Sequence, residues 1–149
     1  MQALWSNQVL WTAVFASLFA QSVKLVVYYA IEKRWEWERF LETGGMPSSH
    51  SATVTALATG LGMTQGFGSP YFALGAVLAF IVIYDATGIR RAAGLHAQLL
   101  NDLVEEFRVV MQRGPEPEPL KELLGHTYLE VTVGAIIGVL VAWASFSWI

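Results

Sequence analysis

Two histidines stand where a polar loop runs into a long apolar stretch. They are His50, in Pro47-Ser48-Ser49-His50, and His126, in Gly125-His126-Thr127-Tyr128-Leu129-Glu130. Near neutral pH an imidazole can serve as base, acid or nucleophile. Glu130 follows His126 by four residues, a spacing that puts both on one helix face. A carboxylate there takes the proton of one ring nitrogen, fixes the tautomer and raises the basicity of the other nitrogen. An ordinary contact between neighbouring turns has the same spacing, so the pair alone leaves both readings open. Ser48 and Ser49 are good helix N-caps, and a helix start offers free N–H groups and a positive dipole end to phosphate. Gly44 and Gly45 allow a tight backbone approach. Simple capping, with His50 as an interfacial polar residue, is the alternative.

Three cations could complete an anion site. Lys24 lies inside the first apolar run, about two turns from its charged end, where a lysine needs an anionic partner, a wet site or room to snorkel. Arg90 and Arg91 end the third run, and a guanidinium fork suits phosphate oxygens. Anchoring at the membrane surface would account for the two arginines equally. Asp85 is placed to pair with one of them or to hold Lys24. No convincing ligand cluster surrounds Asp85, so neither metal nor cofactor is expected. His96 lacks the small-residue setting of the other two histidines and reads as a surface or lid residue.

The elements that must carry these groups follow from composition. Of the 149 residues 54% are hydrophobic and 14% charged, with a mean hydropathy of +0.46. Soluble domains carry roughly 25% charged residues, so a single integral membrane domain over 1–149 is expected. There is no cysteine, which excludes disulfides, zinc–thiolate centres and cysteine nucleophiles. The N-terminus has neither the basic start nor the cleavage site of a signal peptide, so the first run is expected to stay as a helix. Four stretches reach spanning length: Val9–Ile31, Ser49–Gln65, Pro70–Thr87 and Leu124–Trp148. The second is rich in Ser, Thr and Gly, which suits packing against other helices. Gly134-x-x-x-Gly138 would permit close approach but is common by chance.

All Lys and Arg residues (24, 33, 34, 39, 90, 91, 108, 113 and 121) fall on one side of such a bundle or at helix ends reaching it. The positive-inside rule makes that side cytoplasmic. His50, Arg90, Arg91 and His126 then approach one membrane face, with Lys24 directed towards it. Trp35 and Trp37, in the Glu32–Met46 connection, suit a headgroup layer. Residues 92–112 predict an amphipathic helix, with Leu95, Leu99, Leu103, Phe107 and Val110 on one face. It would lie on the membrane surface or over the site. Pro115-Glu116-Pro117-Glu118-Pro119 predicts an extended acidic link.

These strings resemble the type-2 phosphatidic acid phosphatase superfamily, which includes the vanadium haloperoxidases. Pro47-Ser48-Ser49-His50 is similar to its P-S-G-H motif, with Ser49 for glycine. His126-x3-Glu130 is similar to the end of its S-R-x5-H-x3-D motif, with glutamate for aspartate. Gly44–Ala52 and Tyr84–Gly94 resemble the divergent branch of that superfamily more specifically. The K-x6-R-P motif is absent, since Ile31 stands seven residues after Lys24. Lys24 is the candidate lysine, with Lys33, Arg34 and Arg39 as rivals. The third motif is split: Arg90 or Arg91 is separated from His126 by the amphipathic stretch. Arg90-x5-His96 fits the spacing but places Leu100 where the acid belongs.

The resemblance implies an all-α polytopic bundle, a shortened core of four membrane helices plus the amphipathic one. It implies a membrane phosphatase acting on a lipid phosphate such as phosphatidate, phosphatidylglycerol phosphate or an isoprenyl phosphate. His126 would attack phosphorus, Glu130 would orient it, and His50 would protonate the leaving alcohol and then activate water. Lys24, Arg90 or Arg91 and groups around Ser48 and Ser49 would hold the phosphate oxygens. The expected location is a bacterial inner membrane, with membrane lipids as surroundings and no nucleic-acid partner. A second copy is one way to seal so small a core. The alternative is a lipid-phosphate binding or transport protein that keeps the anion site without turnover.

Overall fold

The computed structural model describes residues 2–35, 44–111, 118–120 and 124–147. Among them the chain is all helix: α1 (Gln2–Trp5), α2 (Gln8–Glu32), α3 (Ser49–Gln65), α4 (Pro70–Thr87), α5 (Ile89–Met111) and α6 (Tyr128–Phe146). Trp37, Arg39, Arg113, Lys121, Trp148 and residues 115–117 of the acidic link lie outside the described residues.

α3 is the centre of the bundle and packs against α2, α4 and α6. It can do so because its inward positions are small: Ser51, Ala52, Val54, Ala56, Ala58, Gly60 and Gly62 are buried. Its hydroxyls are satisfied locally. Thr53 donates to the Ser49 carbonyl and Thr55 to the Ser51 carbonyl, each at 2.7 Å, so neither leaves a bare polar group in an apolar layer. At the α3–α6 crossing a Cβ on Gly134 would strike the Ser48 carbonyl, and one on Gly138 would strike Thr55 and the Ala52 carbonyl. The Gly-x-x-x-Gly spacing therefore sets this contact. Lower in the bundle Ala16, Ala56, Ala142 and Phe146 form one cluster, and Val54, Ala58 and Ala79 another.

By length and composition three helical stretches among the described residues can cross a membrane: Gln8–Glu32, Pro70–Arg108 and Tyr128–Phe146. α3 keeps the bounds expected for the second span, but with 17 residues it is shorter. It is distinguished from the other three by its many small side chains and its central position. Large apolar side chains such as Phe15, Leu74, Phe80, Ile136 and Trp143 face outward, as a lipid-facing surface requires.

Two boundaries differ from the sequence reading. α6 begins at Tyr128 because Thr127 caps it, so His126 sits in the turn before the helix. α5 begins at Ile89, directly after a bend at Gly88, and is nearly continuous with α4. The expected apolar stripe of α5 is exposed. Asn101 fastens α5 to the returning chain: its amide donates to the Leu120 carbonyl and accepts the Leu120 N–H, both at 2.9 Å.

Candidate active site

The turn before α6 is held from three sides. The His126 N–H donates to the Ala86 carbonyl at the end of α4 over 2.9 Å. Gly125, at φ +82°, lies against the Arg90–Arg91 backbone so closely that a side chain there would collide with it. A capping box closes the third side. The Glu130 N–H donates to Thr127 Oγ1 at 3.3 Å, and the Thr127 N–H donates to Glu130 Oε2 at 2.9 Å. Thr127-x-x-Glu130 is a readable capping signature that the sequence reading passed over in favour of His126-x3-Glu130.

Glu130 Oε2 also lies 3.1 Å from His126 Nδ1. The two side chains therefore meet as the spacing implied, although across a helix cap and not along a helix face. An ionised carboxylate accepts only, so the shared proton sits on Nδ1 and the Nε2 lone pair is free. His126 is 5% exposed. Burial holds its pKa below the ordinary histidine value. Glu130 pulls in the opposite direction, while the charges of Lys24 and Arg90 add to the lowering.

The second string docks onto the first. The Ser48 N–H donates to the Glu130 carbonyl at 3.1 Å. Ser48 Oγ caps α3, accepting from the Ser51 N–H at 3.3 Å and the Ser51 hydroxyl at 3.0 Å. Ser48 is thus fully engaged in holding the helix start, and Ser49 beside it is buried. The first-turn N–H groups of Ser49 and His50 have no partner within the helix by geometry. His50 itself is exposed. Its ring lies 6.5 Å from that of His126, tilted by 57°.

The cations surround this pair unequally. Lys24 is 6% exposed, and its side chain runs beside Gly45, where a Cβ would stand 3.8 Å from Lys24 Cδ. The charges of Lys24 and Arg90 reach both imidazoles. Arg90 Nε is bound to Asp85 Oδ2 at 2.6 Å, so Asp85 orients the arginine. Arg91 lines a cavity of about 170 Å³ together with Gly94, Gln98, Gly125, His126 and Glu130. Of the rivals of Lys24, two are described and Arg39 lies outside the described residues. Lys33 lies nine residues beyond Lys24, at the left-handed C-cap of α2, and Arg34 follows on the exposed chain. His96 is exposed on α5 and does not line that cavity. Among the described residues no three His, Asp or Glu side chains gather as metal ligands.

The sequence reading did not single out Thr127, nor Gly125 as the close approach to the arginines. The composition of the site is two imidazoles, one carboxylate on the buried imidazole, and cations on two further helices. Such a set can attack, protonate and charge-stabilise a phosphoryl group.

A family model described as the divergent PAP2 family matches residues 5–141. The chain is 41% identical over 146 residues to an uncharacterized membrane protein, YuiD, of Bacillus subtilis (strain 168), covering 92% of each. No solved structure matches.

Proposed function

The chain belongs to the divergent PAP2 family, and from that premise we propose that it is a membrane lipid-phosphate phosphatase working through a phosphohistidine. The observation that carries the reading is the pairing of His126 with Glu130 opposite His50. In the first step His126 Nε2 attacks phosphorus and the ester P–O bond breaks. His50 delivers its proton to the departing alcohol. In the second step water gives a proton to His50 and attacks phosphorus, the P–N bond breaks, and phosphate leaves. His126 is buried, and burial favours the neutral ring that a nucleophile needs. His50 is exposed, which suits a group that must exchange protons with water. Lys24, Arg90, Arg91 and the first-turn N–H groups of α3 would carry the oxygen charge, usually the largest contribution in such transfers. None of these steps draws on a metal.

The substrate fits as a phosphomonoester or diphosphate on a lipid, because the site stands at one end of apolar helices whose outer faces suit acyl chains. The clustering of Lys and Arg at that end supports a cytoplasmic site. Single cysteines at Trp35 and Gly68, labelled in intact cells, test the orientation: reagent reaching position 35 from outside reverses it.

The lost arginine of the family's first motif favours one other reading. Ile31 occupies its place and is exposed, so the anion could be bound without efficient turnover. Phosphate release from phosphatidate, phosphatidylglycerol phosphate and isoprenyl phosphate, with EDTA present, separates the two. Release lost in both His50→Ala and His126→Ala supports the phosphatase. Release surviving both substitutions sinks it, and tight binding without release selects a binding protein.

A further inference from the structure

Glu130 makes four hydrogen bonds, three within the turn before α6 and its first turn and one across to the start of α3. Its carbonyl holds Ser48, its N–H is taken by the Thr127 hydroxyl, and its Oε2 faces both the Thr127 N–H and His126 Nδ1. The last pair matters most. One carboxylate oxygen serves as the return arm of the helix cap and as the partner of the imidazole. The side chain of a glutamate has three rotatable bonds, and the imidazole alone would not fix them. The Thr127 N–H holds the carboxylate directly, and the Thr127 hydroxyl, on the Glu130 N–H, fixes the backbone from which that side chain reaches back.

We propose that Thr127 is a positioning residue: the capping box it closes on α6 locks Glu130 where it keeps the His126 proton on Nδ1 and leaves Nε2 unprotonated. Free histidine favours the opposite tautomer, with the proton on Nε2. The cap therefore works against the intrinsic preference of the ring, and its loss should be visible on the ring itself. The consequence for turnover rests on the phosphatase reading above. The consequence for the tautomer does not.

The test uses the full-length protein in detergent, labelled with ¹⁵N-histidine, with His126 assigned by comparison with His126→Asn. The wild type is expected to hold the proton on Nδ1. Thr127→Ala removes the hydroxyl acceptor and is expected to shift His126 towards the Nε2–H form. Thr127→Ser keeps the acceptor and is expected to restore the wild-type signal. Thr127→Val, which keeps the branched shape, serves as the second variant should the alanine protein not fold. In the same proteins kcat is expected to fall roughly tenfold with KM little changed. A merely structural cap would lower the melting temperature and leave the tautomer alone. An unchanged tautomer in both Thr127→Ala and Thr127→Val overturns the proposal, as does a wild-type His126 protonated on Nε2. A tautomer that responds as expected in a protein releasing no phosphate supports the positioning role and overturns the phosphatase reading.

Discussion

The backbone N–H of Ser48 donates to the carbonyl oxygen of Glu130 over 3.1 Å, and this one bond registers the two histidine-bearing strings against each other. Ser48 caps the helix that carries His50. Glu130 holds the imidazole of His126. The relative position of the two imidazoles therefore depends on how closely α3 and α6 approach, which the glycines of α6 decide.

Gly134→Ala is expected to force these helices apart, because its Cβ would overlap the Ser48 carbonyl. Overpacking of this kind costs about 1–3 kcal/mol, read as a lower melting temperature in detergent, and activity should fall with it. Gly68, with open space around it, is the control: Gly68→Ala should leave both unchanged. Equal melting temperatures for Gly134→Ala and the wild type would contradict the close crossing.

Lys24→Ala should reduce phosphate release by roughly 10²–10³-fold, the usual scale for one lost charge-stabilising donor. Lys24→Arg should recover part of it. Steady-state rates on a soluble phosphomonoester measure this. A rate within twofold of the wild type for Lys24→Ala would move the role to another cation.

Asp85 and Arg90 should behave as one unit. Asp85→Asn frees a guanidinium bound at 2.6 Å, and Arg90→Ala removes it. If Asp85 acts only by orienting Arg90, the double variant should be no slower than Arg90→Ala alone. Additive losses in a double-mutant cycle would show independent roles.

The pH dependence of stability follows from His126. Unfolded, it titrates at its ordinary value of 6.5, while folded its pKa lies lower because the ring is buried. Between those two values the unfolded chain binds more protons, so stability rises with pH across the window and is lost as pH falls through it. Melting temperatures taken from pH 7 downward should drop less steeply in His126→Gln than in the wild type. Parallel curves would mean that His126 titrates alike in both states.

Much of this arrangement was legible in the residues. Two of the apolar runs matched their helices to the residue and the first to within one, because Ser48, Ser69 and Asn7 are strong caps and length with apolar content leaves little freedom in a membrane. The convergence of His50, His126, Lys24 and Arg90 followed from topology. What was not legible lay in the turns. His126 was expected on a helix and stands before one, since Thr127 accepts the N–H of Glu130 and so caps α6 at the following residue. Gly134-x-x-x-Gly138 carried little weight as a pattern, because its meaning depends on which helix lies opposite. The clamp from Asn101 to Leu120 spans 19 residues and has no local signature.

The most direct measurement is chemical trapping of the covalent intermediate. A ³²P-labelled lipid phosphate is added to wild type, His50→Ala and His126→Ala with EDTA present, the reaction is stopped in base, and label on the protein is counted. Acid-labile, base-stable label should be brief in the wild type and absent in His126→Ala; in His50→Ala it should form slowly, because the leaving alcohol lacks its acid, and decay slowly, because the water-activating step is crippled too. Label that persists in His126→Ala, or phosphate released without label in either of the other two proteins, would contradict a phosphohistidine at His126.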